Sequence, residues 1–302
     1  MSAHRLVLGT AQLGMPYGVA NAGGKPDPGL AREIVATAWA GGIRHFDTAQ
    51  CYGDSEAVLG DCLAAIGASQ TAQVTTKLSA ELDHANPARL TASARQSLDR
   101  LGLPRLFALL LHDEARLCAW DQGFFPALAE LQEAGSVEYG GVSLYSPDCL
   151  DTALALRGCG VVQVPANVLD QRFAAHGLRE KTSRRGVQVF LRSVFLQGLL
   201  LLSPDRLPPG LSAARKPIER FGALCRDLGF SSRAAAMGYV RERHPQAMVL
   251  FGADTPAQVE ENLADFARPL PSEALAAMEA AFAAPLPEAI VNPSLWPAKD
   301  YP

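Results

Sequence analysis

The feature that most constrains the fold is a regular alternation along the chain. Short aliphatic or β-branched runs are separated by longer segments of helical period, from one end to the other. This alternation is typical of a parallel sheet whose strands are joined by crossover helices. Eight strands are predicted, near residues 6–9, 43–47, 73–77, 107–112, 139–143, 161–164, 187–192 and 247–251. The predicted fold class is α/β, a (β/α)8 TIM barrel with a parallel eight-stranded core.

The main structural alternative is a doubly wound open sheet. That fold normally carries a G-x-G-x-x-G turn after its first strand, where a dinucleotide diphosphate binds. Here residues 8–14 read LGTAQLG and lack the pattern. Because no Gly/Ser-rich linker or change of composition interrupts the 302 residues, we expect residues 1–302 to form a single domain.

Helix starts are marked by a capping side chain followed by proline, at Asn86-Pro87, Ser146-Pro147 and Thr255-Pro256. After the first of these, leucine and alanine recur at helical spacing, and Gly102 follows where a left-handed terminator is expected. The segment is predicted to be a helix packed on the barrel.

Charge and cysteine content exclude several classes of protein. A net charge of −4 with no basic stripe argues against nucleic acid as a partner. The six cysteines show no Cys-x-x-Cys pair, which indicates reduced thiols rather than a zinc site. No signal-like N-terminus and no apolar run of about 20 residues is present, so a cytoplasmic location away from the membrane is expected. The oligomeric state stays open.

Four polar residues fall at or just after the ends of three successive predicted strands. Asp47 ends the second strand and Tyr52 follows it, Lys77 ends the third, and His112 ends the fourth. These strand ends form the catalytic face of a barrel, so the four side chains are predicted to converge. Singly, each is better explained as a cap, a surface charge, a buried imidazole or a gap-filling ring. Together they indicate a site, because a lysine after an apolar strand needs a carboxylate nearby.

The group suits a reaction in which a carbonyl oxygen gains negative charge. A free tyrosine has a pKa of about 10 and is a weak acid near pH 7 unless its anion is stabilised. Lys77 is predicted to supply that field, Asp47 to balance the lysine, and His112 to orient the substrate oxygen. Tyr52 is then the candidate general acid, or the base in the reverse direction.

On these residues the sequence resembles the aldo/keto reductase superfamily over nearly its whole length. The matching segments are GIRHFDTA at 42–49 with Tyr52-Gly53 and Ser55-Glu56, Thr76-Lys77, Leu110-Leu111-His112, Gly141-Val142-Ser143, and Thr255-Pro256 with Glu261-Asn262. The resemblance implies the barrel, the tetrad described above, and an oxidoreductase that transfers hydride between a nicotinamide cofactor and an aldehyde, ketone or aldose.

The resemblance also implies NADP(H) as cofactor, with NAD(H) as the alternative. The implied cofactor contacts are Thr10, Ser143, Gln163, Arg192, Ser193, Gly198, Gly252, Asp254, Gln258 and Asn262.

Three positions depart from the family pattern. Leu144 replaces an asparagine that would help to hold the nicotinamide amide, and Arg192 replaces an aromatic residue that would stack on the ring. Arg192 is therefore a substitute platform, a diphosphate clamp or a paired arginine at the rim. Asp254 stands where NADP-dependent members offer a cation, which indicates relaxed or NAD-leaning specificity unless Arg268 or Arg192 supplies the charge. The hairpin that plugs many family barrels is expected to be absent.

Loops set substrate choice in such barrels. The candidate substrate contacts are Tyr17, Trp120 and Trp296 or Tyr301, each of which fits equally well as a loop anchor. The opening residues GTAQLGMPYG look like those of bacterial members near sugar metabolism, which suggests a carbonyl or sugar substrate in either reaction direction.

Two other functions compete with this interpretation. One is a non-catalytic cofactor-binding or regulatory subunit, suggested by Leu144 and Arg192. The other is a metal-dependent hydrolase using Asp47, His112 and Asp113, although no ligand cluster supports it. Cys51, beside Tyr52, is either a redox-sensitive thiol or, as we favour, an inert side chain lining the barrel.

Overall fold

A computed structural model describes residues 3–296. Its centre is a closed barrel of eight parallel strands in sequential order, in which the first strand pairs with the second and the eighth. The strands are β1 (Leu6–Gly9), β2 (His45–Asp47), β3 (Gln73–Leu78), β4 (Leu106–Leu111), β5 (Val137–Ser143), β6 (Cys159–Pro165), β7 (Gln188–Arg192) and β8 (Met248–Phe251). The predicted (β/α)8 fold is confirmed.

Helices surround the barrel and connect its strands. They are α1 (Ala11–Gly14), α2 (Pro28–Ala40), α3 (Ser55–Ala65), α4 (Pro87–Leu101), α5 (Phe125–Glu133), α6 (Asp148–Ala155), α7 (Arg172–Ala175), α8 (Leu178–Arg185), α9 (Arg215–Asp227), α10 (Ser232–Arg243), α11 (Pro256–Ala267), α12 (Ser272–Ala281) and α13 (Glu288–Val291). Short 3-10 turns lie at Ala3–Arg5, Glu114–Ala119, Leu199–Leu201, Pro204–Arg206, Pro209–Ala214 and Pro293–Leu295, and a π-helical turn at Trp120–Phe124. Within residues 3–296, no helix has the length and apolar character needed to cross a bilayer.

The strand ends differ slightly from the prediction. β2 begins at His45 because Ile43 still belongs to the turn after α2, where its amide donates to the Ala38 carbonyl at 3.0 Å. β4 ends at Leu111, so His112 is the first residue of the following loop. Both differences leave the side chains of the site at the carboxyl ends of the strands.

The predicted helix starts are largely confirmed. The Asn86 and Thr255 side chains each accept a hydrogen bond from the backbone at the start of α4 and α11. Ser146 also accepts from an amide, that of Asp148, but α6 begins at Asp148, one residue later than Pro147. The four α4 positions spaced for packing are buried: Leu90, Ala94, Leu98 and Leu101.

Side chains from the strands close the lower end of the barrel. The Phe107 ring meets the His45 ring edge-on, with the ring centroids 4.8 Å apart. Its centroid lies 5.1 Å from that of Tyr139 and 6.0 Å from that of Phe190. Burial lowers the pKa of His45 to about 4, so its ring is neutral at pH 7. In the described residues, the 3-10 turn at Ala3–Arg5 leads directly into β1.

Candidate active site

The carboxyl ends of the strands surround one cleft, and a buried ion pair lies at its base. Lys77 Nζ on β3 donates to Asp47 Oδ1 on β2 at 2.5 Å and to the Thr48 carbonyl at 2.8 Å. Both charged residues are almost fully buried, with 0% and 3% exposure. The second Asp47 oxygen accepts a 2.7 Å hydrogen bond from Gln163 Nε2 on β6. Asp47 and Lys77 therefore meet as predicted, and Gln163 joins them.

Tyr52 and His112 lie beside this pair, and both line the cleft. Their rings pack edge-to-face with centroids 5.6 Å apart, and Lys77 Nζ lies 5.1 Å from the Tyr52 ring centroid. Gly14 keeps the backbone of Tyr52 in place, because a Cβ at Gly14 would lie only 1.8 Å from the Tyr52 carbonyl oxygen. A side chain at position 14 would thus displace the tyrosine.

The pKa of Tyr52 is shifted in the direction opposite to the one predicted. Loss of hydration, followed by the negative charge of Asp47, raises the pKa of Tyr52 well above its usual value, and Arg192 opposes this shift. We expected Lys77 to lower the pKa of the phenol. Loss of hydration and the charge of Asp47 outweigh Arg192 instead, so Tyr52 keeps its proton at neutral pH.

His112 is neutral for similar reasons. Burial, followed by the positive charges of Lys77 and Arg192, lowers the pKa of His112 to about 3. The imidazole Nδ1 lies 3.3 Å from the Sγ of Cys51, and burial raises the pKa of that thiol. When the protonated thiol is the donor in this contact, the proton of the neutral imidazole is on Nε2. Cys51 therefore contacts a proposed active-site residue, which its position beside Tyr52 alone did not indicate.

Arg192, at the end of β7, reaches sideways to the end of β5. Its Nη2 donates to the Leu144 carbonyl at 3.0 Å, its Nη1 lies 3.3 Å from Ser193 Oγ, and its guanidinium lies 3.8 Å above the Tyr145 ring centroid. Tyr145 lines the cleft and was missed by the sequence analysis, although its place two residues after Ser143 was a usable signal.

The loop after β7 forms one wall of the cleft. Ser193, Leu196 and Gln197 have left-handed φ values of 61°, 49° and 55°, which non-glycine residues adopt at a cost and which cluster at functional sites. The Gln197 carbonyl accepts a 2.8 Å hydrogen bond from the amide of Val19 in the first loop. Gly198 continues this wall, where a Cβ would lie 2.6 Å from the Cβ of Ala20.

The other end of the cleft lies beside β8 and α11. Asp254 is half-buried there, and burial raises the pKa of its carboxyl group. Its backbone amide donates to Gln258 Oε1 at 2.6 Å, and its carboxylate accepts a hydrogen bond from the Asn21 side chain at 3.2 Å. Asn262 is 2% exposed and lines the cleft, and its Oδ1 has no hydrogen-bond partner among residues 3–296. A buried acceptor without a partner indicates a ligand group or water at this position.

The cation at this end is Arg233, not Arg268. Arg233 lines the cleft and forms ion pairs with Glu261 and with Asp265, the latter at 2.5 Å. Arg268 instead stacks on Phe230 and donates to a backbone carbonyl outside the cleft. Of the two alternatives for a hidden cation, Arg268 does not line the cleft and Arg192 does; Arg233 was not considered because α10 is distant in sequence from the aligned stretch.

Six further residues predicted as cofactor or substrate contacts line the cleft. Tyr17, Ser143, Ser193, Gly252 and Gln258 line the cleft, and so does Thr10, whose hydroxyl however bonds the Asp47 carbonyl at 2.9 Å and contacts Ser55.

The predicted contacts of Trp120 and Trp296 with substrate are wrong. Trp120 is 0% exposed and donates to the Arg157 carbonyl, because its indole anchors the loop after β4. Trp296 donates to the Ile290 carbonyl and holds this part of the tail, and Pro293 lines the cleft. Tyr301 lies outside the described residues. Among residues 3–296, no three His, Cys, Asp or Glu side chains are placed to share a metal ion.

Comparison with known proteins gives a consistent result. A sequence profile described as aldo/keto reductase family matches residues 5–283. D-threo-aldose 1-dehydrogenase from a Pseudomonas species is 27% identical, over 95% of this chain and 100% of its own. Pyridoxal 4-dehydrogenase from Microbacterium luteolum is 25% identical, over 89% and 91%.

Solved structures share the fold. The holo form of an aldo-keto reductase from Bacillus halodurans aligns with a TM-score of 0.76 at 22% identity, covering 95% of each chain. A glycerol dehydrogenase from Gluconobacter oxydans aligns with a TM-score of 0.68 at 22% identity, covering 98% of this chain and 94% of its own. At this identity the likeness concerns the barrel alone.

Proposed function

Because the chain belongs to the aldo/keto reductase family and is an oxidoreductase, we propose that it transfers hydride between a nicotinamide cofactor and a carbonyl or sugar, with Tyr52 as general acid and base. One observation carries this proposal: the buried Asp47–Lys77 pair lies beneath Tyr52, with His112 packed against the tyrosine ring. Burying both charges of a 2.5 Å ion pair carries a large desolvation cost. Here the buried pair lies next to Tyr52, a group able to transfer a proton.

The residues of the cleft fit a nicotinamide dinucleotide. At one end the buried Asn262 Oδ1 has no partner among the described residues, which suits an amino group of the adenine. At the other end Gln163 gives its amide N–H to Asp47, so its Oε1 remains an acceptor for the carboxamide, beside Ser143. When bound, the cofactor supplies or accepts the hydride.

The other cofactor contacts lie between these ends. The backbone from Ser193 to Gly198 forms the wall that would hold the diphosphate, with Thr10 and Gly252 opposite and Asp254 and Gln258 nearer the adenosine. Gly252 leaves this surface open, since a Cβ there would approach the Gln12 side chain at 3.3 Å.

Tyr52 is the proton donor in the direction of reduction. Its raised pKa keeps the phenol protonated at neutral pH, so a proton is available when negative charge develops on the carbonyl oxygen. Lys77, 5.1 Å from the ring centroid, then stabilises the phenolate that remains. In the direction of oxidation, Tyr52 must first lose its own proton before the phenolate can accept that of the substrate hydroxyl, so the raised pKa favours reduction at neutral pH.

His112 orients the substrate oxygen. Because its pKa is lowered to about 3, the imidazole is neutral and donates a hydrogen bond rather than a proton. The Cys51 thiol on Nδ1 directs the remaining N–H, on Nε2, to the cleft. The carbonyl oxygen would thus receive hydrogen bonds from Tyr52 and His112 together.

The charges at the adenosine end support the use of both cofactors. Arg233 is the cation in reach of a 2′-phosphate, but its charge is shared with Glu261 and Asp265. Asp254 would repel the phosphate and can accept from a 2′-hydroxyl. We therefore propose relaxed specificity, with NADH binding at least comparable to that of NADPH.

The substrate class is proposed from the relatives. The relatives named above are an aldose dehydrogenase and a pyridoxal dehydrogenase, so aldoses and aldehydes are the first compounds to test. Tyr17, which lines the cleft near Tyr52, is the best-placed substrate contact among the predicted aromatic residues.

The experiment is a fluorescence titration with NADPH and NADH, followed by turnover of 4-nitrobenzaldehyde and a set of aldoses by wild type and Tyr52→Phe. We expect binding of both cofactors by both proteins. We expect turnover to fall by about 10²- to 10⁴-fold in the variant, because only the transferred proton is removed. Cofactor binding without turnover in the wild type would instead support a non-catalytic subunit, and failure to bind either cofactor would refute the proposal.

A further inference from the structure

We propose that the substrate of this active site carries a carboxylate, which pairs with Arg192. The inference rests on the proposed function and specifies the substrate class as carbonyl compounds or sugars that bear an acidic group. It is carried by the free donors of Arg192, by the charge balance around it and by the direction in which its side chain points.

Arg192 has donors left over. A guanidinium has five N–H groups, and in this structure two are given to the Leu144 carbonyl and Ser193 Oγ. The remaining three have no further hydrogen bond with residues 3–296, and Arg192 lines the cleft. The Tyr145 ring, 3.8 Å from the guanidinium, holds its plane in one orientation. A fixed planar fork of this kind matches the two oxygens of a carboxylate.

Arg192 also lacks a compensating charge. No Asp or Glu oxygen lies within ion-pair distance of it among residues 3–296. Glu114, on the loop after β4, accepts hydrogen bonds from the amides of Tyr145 and Ser146. The other cations that belong to the cleft are paired, Lys77 with Asp47 and Arg233 with two carboxylates.

The positive charge is located at the reactive end. The field of Arg192 acts on Tyr17, Tyr52 and His112, whose pKa directions leave all three neutral at pH 7. Asp47 and Lys77 cancel each other. Among the described side chains at this end of the cleft, Arg192 is therefore a positive charge without an acidic partner, and a substrate anion would neutralise it.

The direction of the side chain favours this role over a diphosphate clamp, with only Nη1 contacting Ser193 Oγ at the start of the wall proposed to hold the diphosphate. By donating to Leu144, the guanidinium crosses β6 toward the end of β5. The loop wall at Gln197, the first loop and β8 lie on the opposite side of β7. The guanidinium thus points away from the adenosine end of the cleft.

The first test needs no variant. Initial rates are measured with 4-carboxybenzaldehyde and its methyl ester, and with D-glucuronate and D-glucose, at saturating cofactor. We expect kcat/KM to favour each acid by about tenfold or more, mainly through KM, which is the size of one charge-assisted hydrogen-bonded pair. Equal values for the acid and the neutral partner would overturn the inference. Tyr52-dependent turnover of the ester would show that the proposed function survives.

The second test assigns the preference to Arg192. In Arg192→Gln the preference for the acid is expected to fall about tenfold, and Arg192→Lys, which keeps the charge, is expected to retain part of it. Arg268→Gln removes the same charge outside the cleft and is expected to leave the preference unchanged. A preference that persists in Arg192→Gln would overturn the assignment. A second outcome would also overturn the assignment: a fold rise in the cofactor Kd of Arg192→Gln that is as large as its fold loss of preference for the acid. That result would identify Arg192 as a diphosphate clamp.

Discussion

Gln163 donates a 2.7 Å hydrogen bond to Asp47, and the other oxygen of that carboxylate accepts from Lys77 at 2.5 Å. Gln163, proposed to hold the nicotinamide amide, and the Asp47–Lys77 pair, proposed to support Tyr52, therefore form one buried hydrogen-bond network. Buried polar groups of this kind are satisfied only together, since each one left without its partner costs the full penalty of desolvation.

Lys77→Met tests how much this network contributes to folding. The substitution leaves the Asp47 carboxylate buried without a cation, so the free energy of unfolding is expected to fall by about 3–5 kcal/mol. Urea denaturation measures this, and Asp47→Asn/Lys77→Met is expected to lose less than the two single changes combined. Lys25→Met is the control, because the Lys25–Asp54 pair is also 2.5 Å long but exposed and contributes at most about 1 kcal/mol. A loss no larger than the control would contradict the prediction.

His45 is expected to make the barrel sensitive to acid. Its pKa is about 4 in the folded protein and about 6.5 when unfolded, so the unfolded chain binds the extra proton first. The stability associated with the neutral ring is complete above pH 6.5 and is lost as the pH falls toward 4. In urea denaturation between pH 7 and 4.5, His45→Gln is expected to lose less stability than wild type. The exposed His4→Gln should behave like wild type, and parallel loss in all three proteins would refute the assignment.

Cys51 is expected to affect turnover through His112. In Cys51→Val the donor to Nδ1 is lost and both tautomers of the imidazole become accessible, so kcat/KM is expected to fall by about 3- to 10-fold. Cys51→Ser keeps a donor and should recover most of the activity. ¹⁵N NMR of the His112 ring gives a direct readout, with the Nε2–H form dominant in wild type and mixed in the valine variant. Cys118→Val, with a thiol that bonds a backbone carbonyl elsewhere, is the control. Unchanged tautomers in Cys51→Val would contradict the role.

Arg233 and Asp254 are expected to influence cofactor choice in opposite directions. Arg233→Gln should raise the Kd of NADPH about 3- to 10-fold more than that of NADH, because only NADPH carries the 2′-phosphate. Asp254→Asn should lower the Kd of NADPH relative to NADH, since the repulsion is removed. Parallel fluorescence titrations measure both ratios. If neither substitution changes the ratio, the 2′ position lies elsewhere.

Much of the fold was predictable because its signals are local. Each strand is a short apolar run between polar turns, and Asp47, Lys77 and His112 stand at or next to strand ends. Topology then brings them together, since parallel strands present their carboxyl ends on one face. The Asp47–Lys77 pair could be predicted for the further reason that a buried lysine needs a carboxylate.

Contacts between distant segments were not predictable in this way. Arg233 enters the cleft from α10, and Asn21 reaches Asp254 across 233 positions of sequence. No local pattern distinguishes these side chains from solvated ones. The orientations of Trp120 and Trp296 depend on single backbone carbonyls, at Arg157 and Ile290, that only the folded loops bring within reach.

The aromatic closure at the bottom of the barrel affects the order in which ligands bind and leave. With Phe107, Phe190, Tyr139 and His45 filling that end, everything that enters must also leave through the same mouth. In a cleft with a single opening, a ligand bound at the base is expected to be held in place by one bound above it. Under the proposed function, in which the substrate would bind over the nicotinamide, the dinucleotide is therefore expected to arrive first and depart last.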